Sequence, residues 1–265
     1  MLEKALPKNG EIIMMAGVRN TRLVLAAACI ALVWCIGSVS AAGAGGAASP
    51  STVVSAVSPS VVAAPPAAAS GTAAPLSFGS MTDPRDKKTY KTVVIGTQTW
   101  MAENLNFTAK KGSFAFNKEE KNADTYGRLF YWQTAMDKAK SSDAVPSNVQ
   151  GVCPTGWHLP SDAEWGILEN YLGGIAVAGG KMKEAGTGHW VAPNAGADNG
   201  SGFTALPGGF NNFLYNGLGT AGCFWSSTEG ASNMAWVHIL TNTGANVERY
   251  NYGKSGAYSV RCVLD

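Results

Sequence analysis

Nearly all the aromatic residues of this 265-residue chain lie after residue 80, including seven of its eight tryptophans. Residues 42–80 are rich in Ala, Gly, Ser, Pro and Val, and no charge follows residue 42 until Asp83. Such a composition cannot bury enough apolar surface to offset the entropy of ordering the backbone. We therefore predict a disordered linker over 42–80 and one folded domain over 81–265, and about 185 residues are ample for a single hydrophobic core.

The first 41 residues show the three parts of a secretory signal peptide. Arg19 and Arg22 precede an apolar run from Leu23 to about Val39, and small residues follow it. We predict a signal peptide over 1–41 and a secreted or cell-surface protein. An uncleaved membrane anchor is the alternative, because the run is only a little shorter than a spanning helix. Lipidation at Cys29 is a weaker interpretation, since the apolar run continues past it.

The charge of the chain gives no support to nucleic-acid binding. The formal net charge is +2, and only 14% of the residues are charged. Nucleic-acid binding usually needs a strongly basic patch or stripe, and no run of basic residues interleaved with aromatic ones occurs here. We predict no nucleic-acid partner and no membrane contact beyond the signal segment.

Strand-like runs occur at both ends of the domain. Residues 90–95 and 98–102 flank a two-residue turn that contains Gly96, which predicts a β-hairpin. Residues 128–132 form another β-like run, and a short helical stretch follows at 134–140. Three more strands are predicted to close the domain, at 223–228, 235–241 and 258–263.

The clearest helix begins at Ser161. Ser161 and Glu164 have the spacing of a capping box, and an apolar stripe follows, consisting of Trp165, Leu168 and Leu172. Two glycines at 173–174 are expected to end the helix. The Gly- and Asn-rich stretch of 179–222 predicts a long irregular region. Early helices, an irregular middle and strands at both ends predict an α+β fold with an antiparallel or mixed sheet.

Five stretches of the domain carry longer motifs, at 90–106, 153–165, 202–210, 224–229 and 259–262. They include GTQTWMAENLN, CPTGWHLPSDAEW, GFTALPGGF, FWSSTE and SVRC. Together they resemble the Fibrobacter succinogenes major paralogous domain, a family of bacterial extracellular modules, over residues 81–265. That family is similar to the C-type lectin-like and formylglycine-generating-enzyme folds. The resemblance therefore implies a C-type lectin-like domain with small antiparallel sheets, early helices and a long irregular loop region.

The resemblance also implies one disulfide bond. In a C-type lectin-like fold, a long-range disulfide joins the region of an early helix to the last strand, and Cys153 and Cys262 stand in those two places. Closing a loop of about 110 residues would stabilise the domain by roughly 4 to 5 kcal/mol. Cys223 is then left over, as a buried thiol or as part of an intermolecular bond. A small buried hydrophobe is the favoured interpretation.

Catalytic and metal-binding patterns are weak in this sequence. His158, His189 and His238 stand at no recognised metal-motif spacing, and we interpret His158 as structural. Residues 217–222 match Gly-x-Gly-x-x-Gly, but a strand-like run follows them, so a loop is predicted there. Cys223 and His238 could act as nucleophile and base, yet no third, orienting group is identified. We predict a non-catalytic protein.

Several residues of the loop region remain as candidate ligand contacts. The triplets that carry calcium-dependent sugar binding are absent, so no cofactor is predicted and a structural calcium ion is left open. The prediction is a surface recognition module for a glycan or a protein. A structural subunit of a surface assembly or adhesin is the alternative, and a formylglycine-generating-type oxidase is a distant third. The candidate contacts are the aromatic Trp190 and Tyr215 and the oxygen-bearing Asn194, Asp198, Asn199 and Glu229.

Overall fold

The computed structural model describes residues 75–265, which form an α+β domain made mostly of strands. The predicted signal peptide of 1–41 and residues 42–74 of the predicted linker lie outside the described residues. The strands are β1 (Ser77–Thr82), β2 (Thr89–Ile95), β3 (Gln98–Met101), β4 (Ser113–Phe114), β5 (Leu129–Tyr131), β6 (Trp157–His158), β7 (Gly208–Asn212), β8 (Leu214–Leu218), β9 (Ala221–Ala231), β10 (Met234–Thr241), β11 (Glu248–Gly253), β12 (Ala257–Ser259) and β13 (Val263–Leu264).

The helices are short, and the third has the predicted capping box. Ser161 Oγ accepts a hydrogen bond from Glu164 N, and a carboxylate oxygen of Glu164 accepts one from Ser161 N. The predicted apolar stripe, Trp165, Leu168 and Leu172, is buried. No helix within residues 75–265 is long and apolar enough to cross a membrane. The helices are α1 (Glu120–Tyr126), α2 (Trp132–Met136), α3 (Asp162–Tyr171) and α4 (Ile175–Met182), with a 3₁₀ helix at Phe116–Lys118.

The first sheet joins the two ends of the domain. Its order is β1-β2-β3-β13-β6, and every pairing in it is antiparallel. The predicted hairpin forms between β2 and β3, with Gly96 at a φ of 62° in its turn. Strand β1 begins at Ser77, four residues before the predicted domain start, because its residues pair with β2 from Thr89 to Val94.

The second sheet is mixed and larger. Its order is β11-β10-β9-β7-β12-β5-β4, with β8 paired to β7. Strand β9 runs parallel to β7 and β12 and antiparallel to β10. Residues 217–222 span the end of β8, a two-residue turn at 219–220 and the start of β9, so the predicted loop is shorter than its motif.

Two large apolar clusters form the core, and strands β9 and β10 lie between them. Alternate residues of these strands enter different clusters: Cys223, Trp225 and Ile239 join the first, while Phe224 and Leu240 join the second. The second cluster is rich in aromatic rings, since Trp165 contacts Trp100, Phe203 and Phe224 with ring centroids 4.8 to 5.9 Å apart. It holds helices α3 and α4 against the sheets.

The segment 258–263, predicted as one strand, is two strands in different sheets. Strand β12 belongs to the second sheet and β13 to the first, and the chain crosses between them at 260–262. The implied disulfide is present at this crossing, between Cys153 and Cys262, which are 109 residues apart in sequence. The crossing is also fixed by backbone hydrogen bonds from Met101 N and Leu105 N.

The Gly- and Asn-rich stretch is less irregular than predicted. Its two ends are ordered, because α4 reaches Met182 and a β7–β8 hairpin spans Gly208–Leu218. Turn-forming residues are frequent in that hairpin, so its pattern hides the strands. The irregular part is residues 183–207, which we call the long loop. Its two ends are joined by an isolated parallel β-bridge between Lys183 and Ala205.

Candidate functional site

Trp190 lies in the core, not on the surface of the long loop. Its side chain is 1% exposed, and its indole Nε1 donates to Ala205 O at 2.9 Å. A buried ring with a satisfied N–H cannot stack on a ligand in the folded domain. The prediction of Trp190 as a ligand contact is therefore wrong, and the residue instead packs the loop into the second cluster.

Asn194 is also turned inward. It is 5% exposed, and its Nδ2 donates to the carbonyl oxygens of Glu184 and Gly186 at 2.9 and 2.6 Å. Its backbone adopts a left-handed conformation with φ 44°, which asparagine tolerates better than most residues. The side chain therefore ties two parts of the long loop together and is not presented to a ligand, so the prediction for Asn194 is wrong as well.

Asp198 and Asn199 form local turns. Asp198 is exposed, and its Oδ1 accepts a hydrogen bond from Gly200 N at 2.7 Å. Asn199 bonds twice to Thr204, through Oδ1 and Nδ2. Within residues 75–265 no group of three or more His, Cys, Asp or Glu side chains is placed to hold a metal ion. The described residues thus give no support to a calcium site in this loop.

Lys183 is the first residue of the long loop and follows α4 directly. Its side chain is fully buried, and Nζ donates to the carbonyl oxygens of Ala195, Thr241 and Gly244 at 2.8 to 2.9 Å. Burial lowers the pKa of Lys183 to about 8, so the side chain is mainly an ammonium at neutral pH. This cation holds the loop to the end of β10 and the turn after it through backbone oxygens, and it also lies 5.4 Å from the centre of the Trp190 ring.

Arg261 has the same role at the crossing between the sheets. It is fully buried, and its guanidinium donates to Asn104 Oδ1 and to the carbonyl oxygens of Phe203 and Thr204. The guanidinium carbon lies 4.2 Å from the centre of the Phe203 ring. Burial lowers the pKa of Arg261 to about 9. The arginine of the SVRC motif therefore anchors the end of the long loop, which the sequence did not indicate.

His158 joins α3 to the end of the chain, in agreement with its predicted structural role. One ring nitrogen lies 2.8 Å from Glu164 Oε1 and the other 2.7 Å from Asp265 Oδ1. Burial lowers the pKa of His158, but the hydrogen bonds to the two carboxylates outweigh it and raise the pKa above 6.5. A ring with a carboxylate on each nitrogen is suited to the doubly protonated form.

His238 is held in the same way and does not pair with Cys223. Its nitrogens lie 2.7 Å from Glu169 Oε1 and 3.1 Å from Asp162 Oδ1, and its ring stacks on Trp165. Cys223 is opposite Ile239 in the β9–β10 register, so it faces the first cluster while His238 packs against the second. Both nitrogens of His238 are occupied, so a nucleophile–base pair between these two residues is not formed.

A surface groove of about 950 Å³ opens on the second sheet, beside the tip of its β7–β8 hairpin. We call it the aromatic groove after the rings that line it: Phe114, Tyr131, Trp132, Phe213 and Tyr215. Polar lining comes from the amides of Gln133, Asn211 and Asn233 and from two lysines, Lys118 and Lys254. Of the predicted ligand contacts, the structure places Tyr215 in this groove.

Rings of the groove pack against other aromatic side chains and are also exposed to solvent. Tyr131 is 38% exposed and meets Phe114 edge to face, with ring centroids 5.0 Å apart. Tyr215 packs against the buried Phe116 at 5.2 Å. Phe213, at the tip of the hairpin, is 87% exposed. Burying such a ring against a ligand is favourable, so these side chains are poised for contact.

Glu229 stands beside the groove and acts through Lys254. It is exposed, and its carboxylate forms an ion pair with Lys254. Lys254 Nζ also lies 4.2 Å from the centre of the Trp132 ring and donates to Ser232 O at 3.1 Å. The ion pair holds the lysine on the groove wall, and Glu229 itself does not line the groove.

A second groove of about 800 Å³ lies between β2 and α1. Its charged lining is mixed, with Lys88 and Lys91 facing Glu103, Asp124 and Glu184. Lys88 Nζ donates a hydrogen bond to Asn106 O, and the backbone N–H of Lys91 donates one to a carboxylate oxygen of Glu103. Because its polar groups bond to each other and few rings are exposed, the second groove is a weaker candidate.

The aromatic groove was hard to find in the sequence because its residues come from five separate segments. Phe213 and Tyr215 stood out as an aromatic pair in a Gly- and Asn-rich stretch. Tyr131 lies one position after the buried Phe130, and the alternation of a strand predicts that it faces outward. Lys118 and Lys254 carried no signal, because isolated lysines in loops are common on any surface.

A family model described as the Fibrobacter succinogenes major domain matches residues 93–264. The matched range includes the disulfide, both buried cations and every residue that lines the aromatic groove. No curated protein and no solved structure matches the chain.

Proposed function

The chain belongs to the Fibrobacter succinogenes major domain family, and we propose that its domain is a non-catalytic recognition module that binds a glycan in the aromatic groove. One observation carries this proposal: three exposed or half-exposed rings, Tyr131, Phe213 and Tyr215, line one groove beside side-chain amides. Sugar rings present an apolar face and a rim of hydroxyl groups. Aromatic rings with a few placed polar groups match both.

Amide side chains supply the polar part of the proposed contact. Gln133, Asn211 and Asn233 each offer both a donor and an acceptor, which sugar hydroxyl groups can use in either sense. Lys254 adds a fixed donor on the Trp132 side. This binding mode needs no metal ion, in keeping with the turn geometry of Asp198 and Asn199.

We propose further that the protein is exported, with residues 1–41 as a signal peptide and 42–80 in large part as a spacer. The Cys153–Cys262 disulfide supports this location, since disulfides persist in oxidising compartments. The domain then stands at or outside the cell surface, where its partner would be a glycan. A surface protein is the alternative partner for the same groove.

The proposed fold relationship is to C-type lectin-like domains. Two features support it: a disulfide that joins the segment before α3 to the last strand, and a long loop inserted between the helices and the later strands. In this chain, however, the loop is held by Lys183 and Arg261. The proposed binding surface therefore lies on the β7–β8 hairpin and not on the long loop.

A structural subunit of a surface assembly is the second candidate. An exposed apolar face on α3 and α4 favours it, since Tyr171, Ile175 and Val177 are 60%, 46% and 43% exposed. Exposed apolar side chains close together in sequence favour a protein contact when they form one patch. Self-association in sedimentation velocity that is lost in Tyr171→Ser would support this candidate. The distant third, a formylglycine-generating-type oxidase, has no supporting geometry in the described residues.

The proposed glycan binding is tested with the purified full chain on a panel of soluble polysaccharides, in calcium and in EDTA. We expect saturable binding that is unchanged by EDTA and about tenfold weaker in Tyr215→Ala, an affinity loss of about 1.4 kcal/mol. Tyr171→Ala is the control, because Tyr171 is an exposed tyrosine on α3 that does not line the groove. Absence of binding to every polysaccharide would contradict the glycan proposal and favour a protein ligand for the groove. Binding that EDTA abolishes would contradict the proposal that no metal ion is needed.

A further inference from the structure

The charged residues that line the aromatic groove are all basic. They are Lys118 and Lys254, and no acidic side chain lines the groove within the described chain. Resting on the proposed glycan binding, we infer that the bound glycan is acidic and carries carboxylate or sulfate groups. The rings would then contact the sugar faces while Lys118 meets the acid group.

Lys118 carries the uncompensated charge of the groove. Lys254 is paired with Glu229, so its charge is already balanced. Lys118 is exposed and has no carboxylate within ion-pair distance among residues 75–265. The two acids that follow it are occupied elsewhere, because Glu119 pairs with Lys121 and Glu120 with Arg128.

The backbone at Lys118 has an unusual, left-handed conformation. Asn117 and Lys118 both have positive φ, at 55° and 61°, in the 3₁₀ helix that begins with the buried Phe116. Left-handed conformations are uncommon for residues other than glycine and need support from their surroundings. That support is present, since Asn122 Nδ2 and Glu119 N both donate to Phe116 O. The conformation therefore fixes where the lysine leaves the chain.

The position of Lys118 is matched to the ring contacts. Phe116, two residues before it, is the residue on which Tyr215 packs. Lys118 and Tyr215 are thus both positioned next to Phe116 and line the same groove, and the inferred mode places the acid group of a sugar on the Tyr215 ring against the ammonium group. Lysine is a flexible point charge, so it accommodates a carboxylate or a sulfate without a fixed bidentate geometry.

The test compares matched pairs of polymers that differ in charge. Polygalacturonate is set against its fully methyl-esterified form, and dextran sulfate against dextran, by calorimetry with the full chain at low and at high NaCl. We expect at least one acidic polymer to bind about tenfold more tightly than its neutral partner at low salt, with the difference lost at high salt because exposed charges are screened. The first pair reports on carboxylates and the second on sulfates.

Lys118→Gln identifies the residue responsible. We expect this change to weaken binding of the preferred acidic polymer about fivefold and to leave the neutral polymer unchanged. Lys110→Gln is the control, because Lys110 is exposed and lies outside the groove. Neutral polymers that bind as tightly as acidic ones, or an acidic preference that survives Lys118→Gln, would overturn this inference and leave glycan binding intact. No binding of any polymer would overturn both.

Discussion

The long loop and the aromatic groove use similar residue types in opposite ways. In the loop, Trp190 and Asn194 are buried, and Lys183 gives its donors to three backbone carbonyls. In the groove, Phe213 is exposed and Lys118 has no carboxylate partner within residues 75–265. These loop side chains are buried in contacts within the chain, whereas the groove side chains Phe213 and Lys118 are exposed to solvent.

The difference shows that composition alone does not identify a binding surface. A loop of 25 residues such as 183–207 has many backbone groups that need partners, and a buried unpaired group costs about 1 to 3 kcal/mol. Polar side chains in such a loop are therefore used to hold it together. A hairpin such as β7–β8 satisfies its own backbone, which leaves the side chains at its tip free for a partner.

The disulfide gives the largest expected effect on the loop side. We expect Cys153→Ala together with Cys262→Ala to lower the free energy of unfolding by roughly 4 to 5 kcal/mol. Without the bond, the unfolded chain no longer contains a large closed loop, so its conformational entropy rises. Cys223→Ala is the control and should cost about 1 kcal/mol. Urea unfolding measures both. Equal losses in the two variants would mean that the crossing at 260–262 is held without the disulfide.

Lys183→Met is expected to give the next largest loss. The change leaves the carbonyl oxygens of Ala195, Thr241 and Gly244 without their donor, so the free energy of unfolding should fall by roughly 3 kcal/mol. Lys181→Met, on the preceding turn and partly exposed, should cost less than about 0.5 kcal/mol. Affinity for the groove ligand should stay the same in both variants. A loss of affinity in Lys183→Met would show that the loop and the groove are coupled.

Phe213→Ala should lower affinity for the groove ligand and leave stability nearly unchanged, the opposite of Lys183→Met. The side chain is 87% exposed, so the free energy of unfolding should change by less than about 0.5 kcal/mol. Affinity for the groove ligand should fall about tenfold, which calorimetry measures. Leu214→Ala is the control, because Leu214 is 72% exposed on the same hairpin but does not line the groove. Equal affinities in the Phe213→Ala and Leu214→Ala variants would show that Phe213 does not contact the ligand.

Local patterns predicted part of this fold well. The β2–β3 hairpin and the start of α3 depend on neighbouring residues, namely a turn with Gly96 and the cap formed by Ser161 and Glu164. The Cys153–Cys262 bond was implied by the resemblance to a family, and the structure confirms it. The hairpin and the helix start could be predicted because each is written in a short local motif, whereas the disulfide was implied by the resemblance alone.

Contacts between distant residues that neither a local motif nor the resemblance indicates were not predicted. Lys183 bonds to a carbonyl oxygen 61 residues away and Arg261 to one 58 residues away, and carbonyl groups leave no mark in a sequence. The aromatic groove likewise combines Tyr131, Tyr215 and Lys254 from separate strands and turns. The β7–β8 hairpin was missed because glycine and asparagine are typical of turns, and here they occupy strand positions.

The smallest effect concerns pH and separates the two regions once more. Burial lowers the pKa of His238, but its hydrogen bonds to Asp162 and Glu169 outweigh it and raise the pKa above 6.5, and the same holds for His158 with Glu164 and Asp265. A raised pKa in the folded state means that the folded chain binds more protons. Stability from these groups is therefore fully present below pH 6.5 and is lost as the pH rises through the folded-state pKa values.

Chemical unfolding between pH 6 and pH 9 measures this loss. We expect His238→Gln to reduce the fall in the free energy of unfolding with rising pH, because the substituted side chain does not titrate. Binding to the groove should change little between pH 6 and pH 8, since no histidine lines it in the described chain. If His238→Gln keeps the full pH dependence, the two carboxylates around this ring do not hold its proton. If binding follows stability across this range, the groove depends on the histidine contacts of α3 and the two regions act as one.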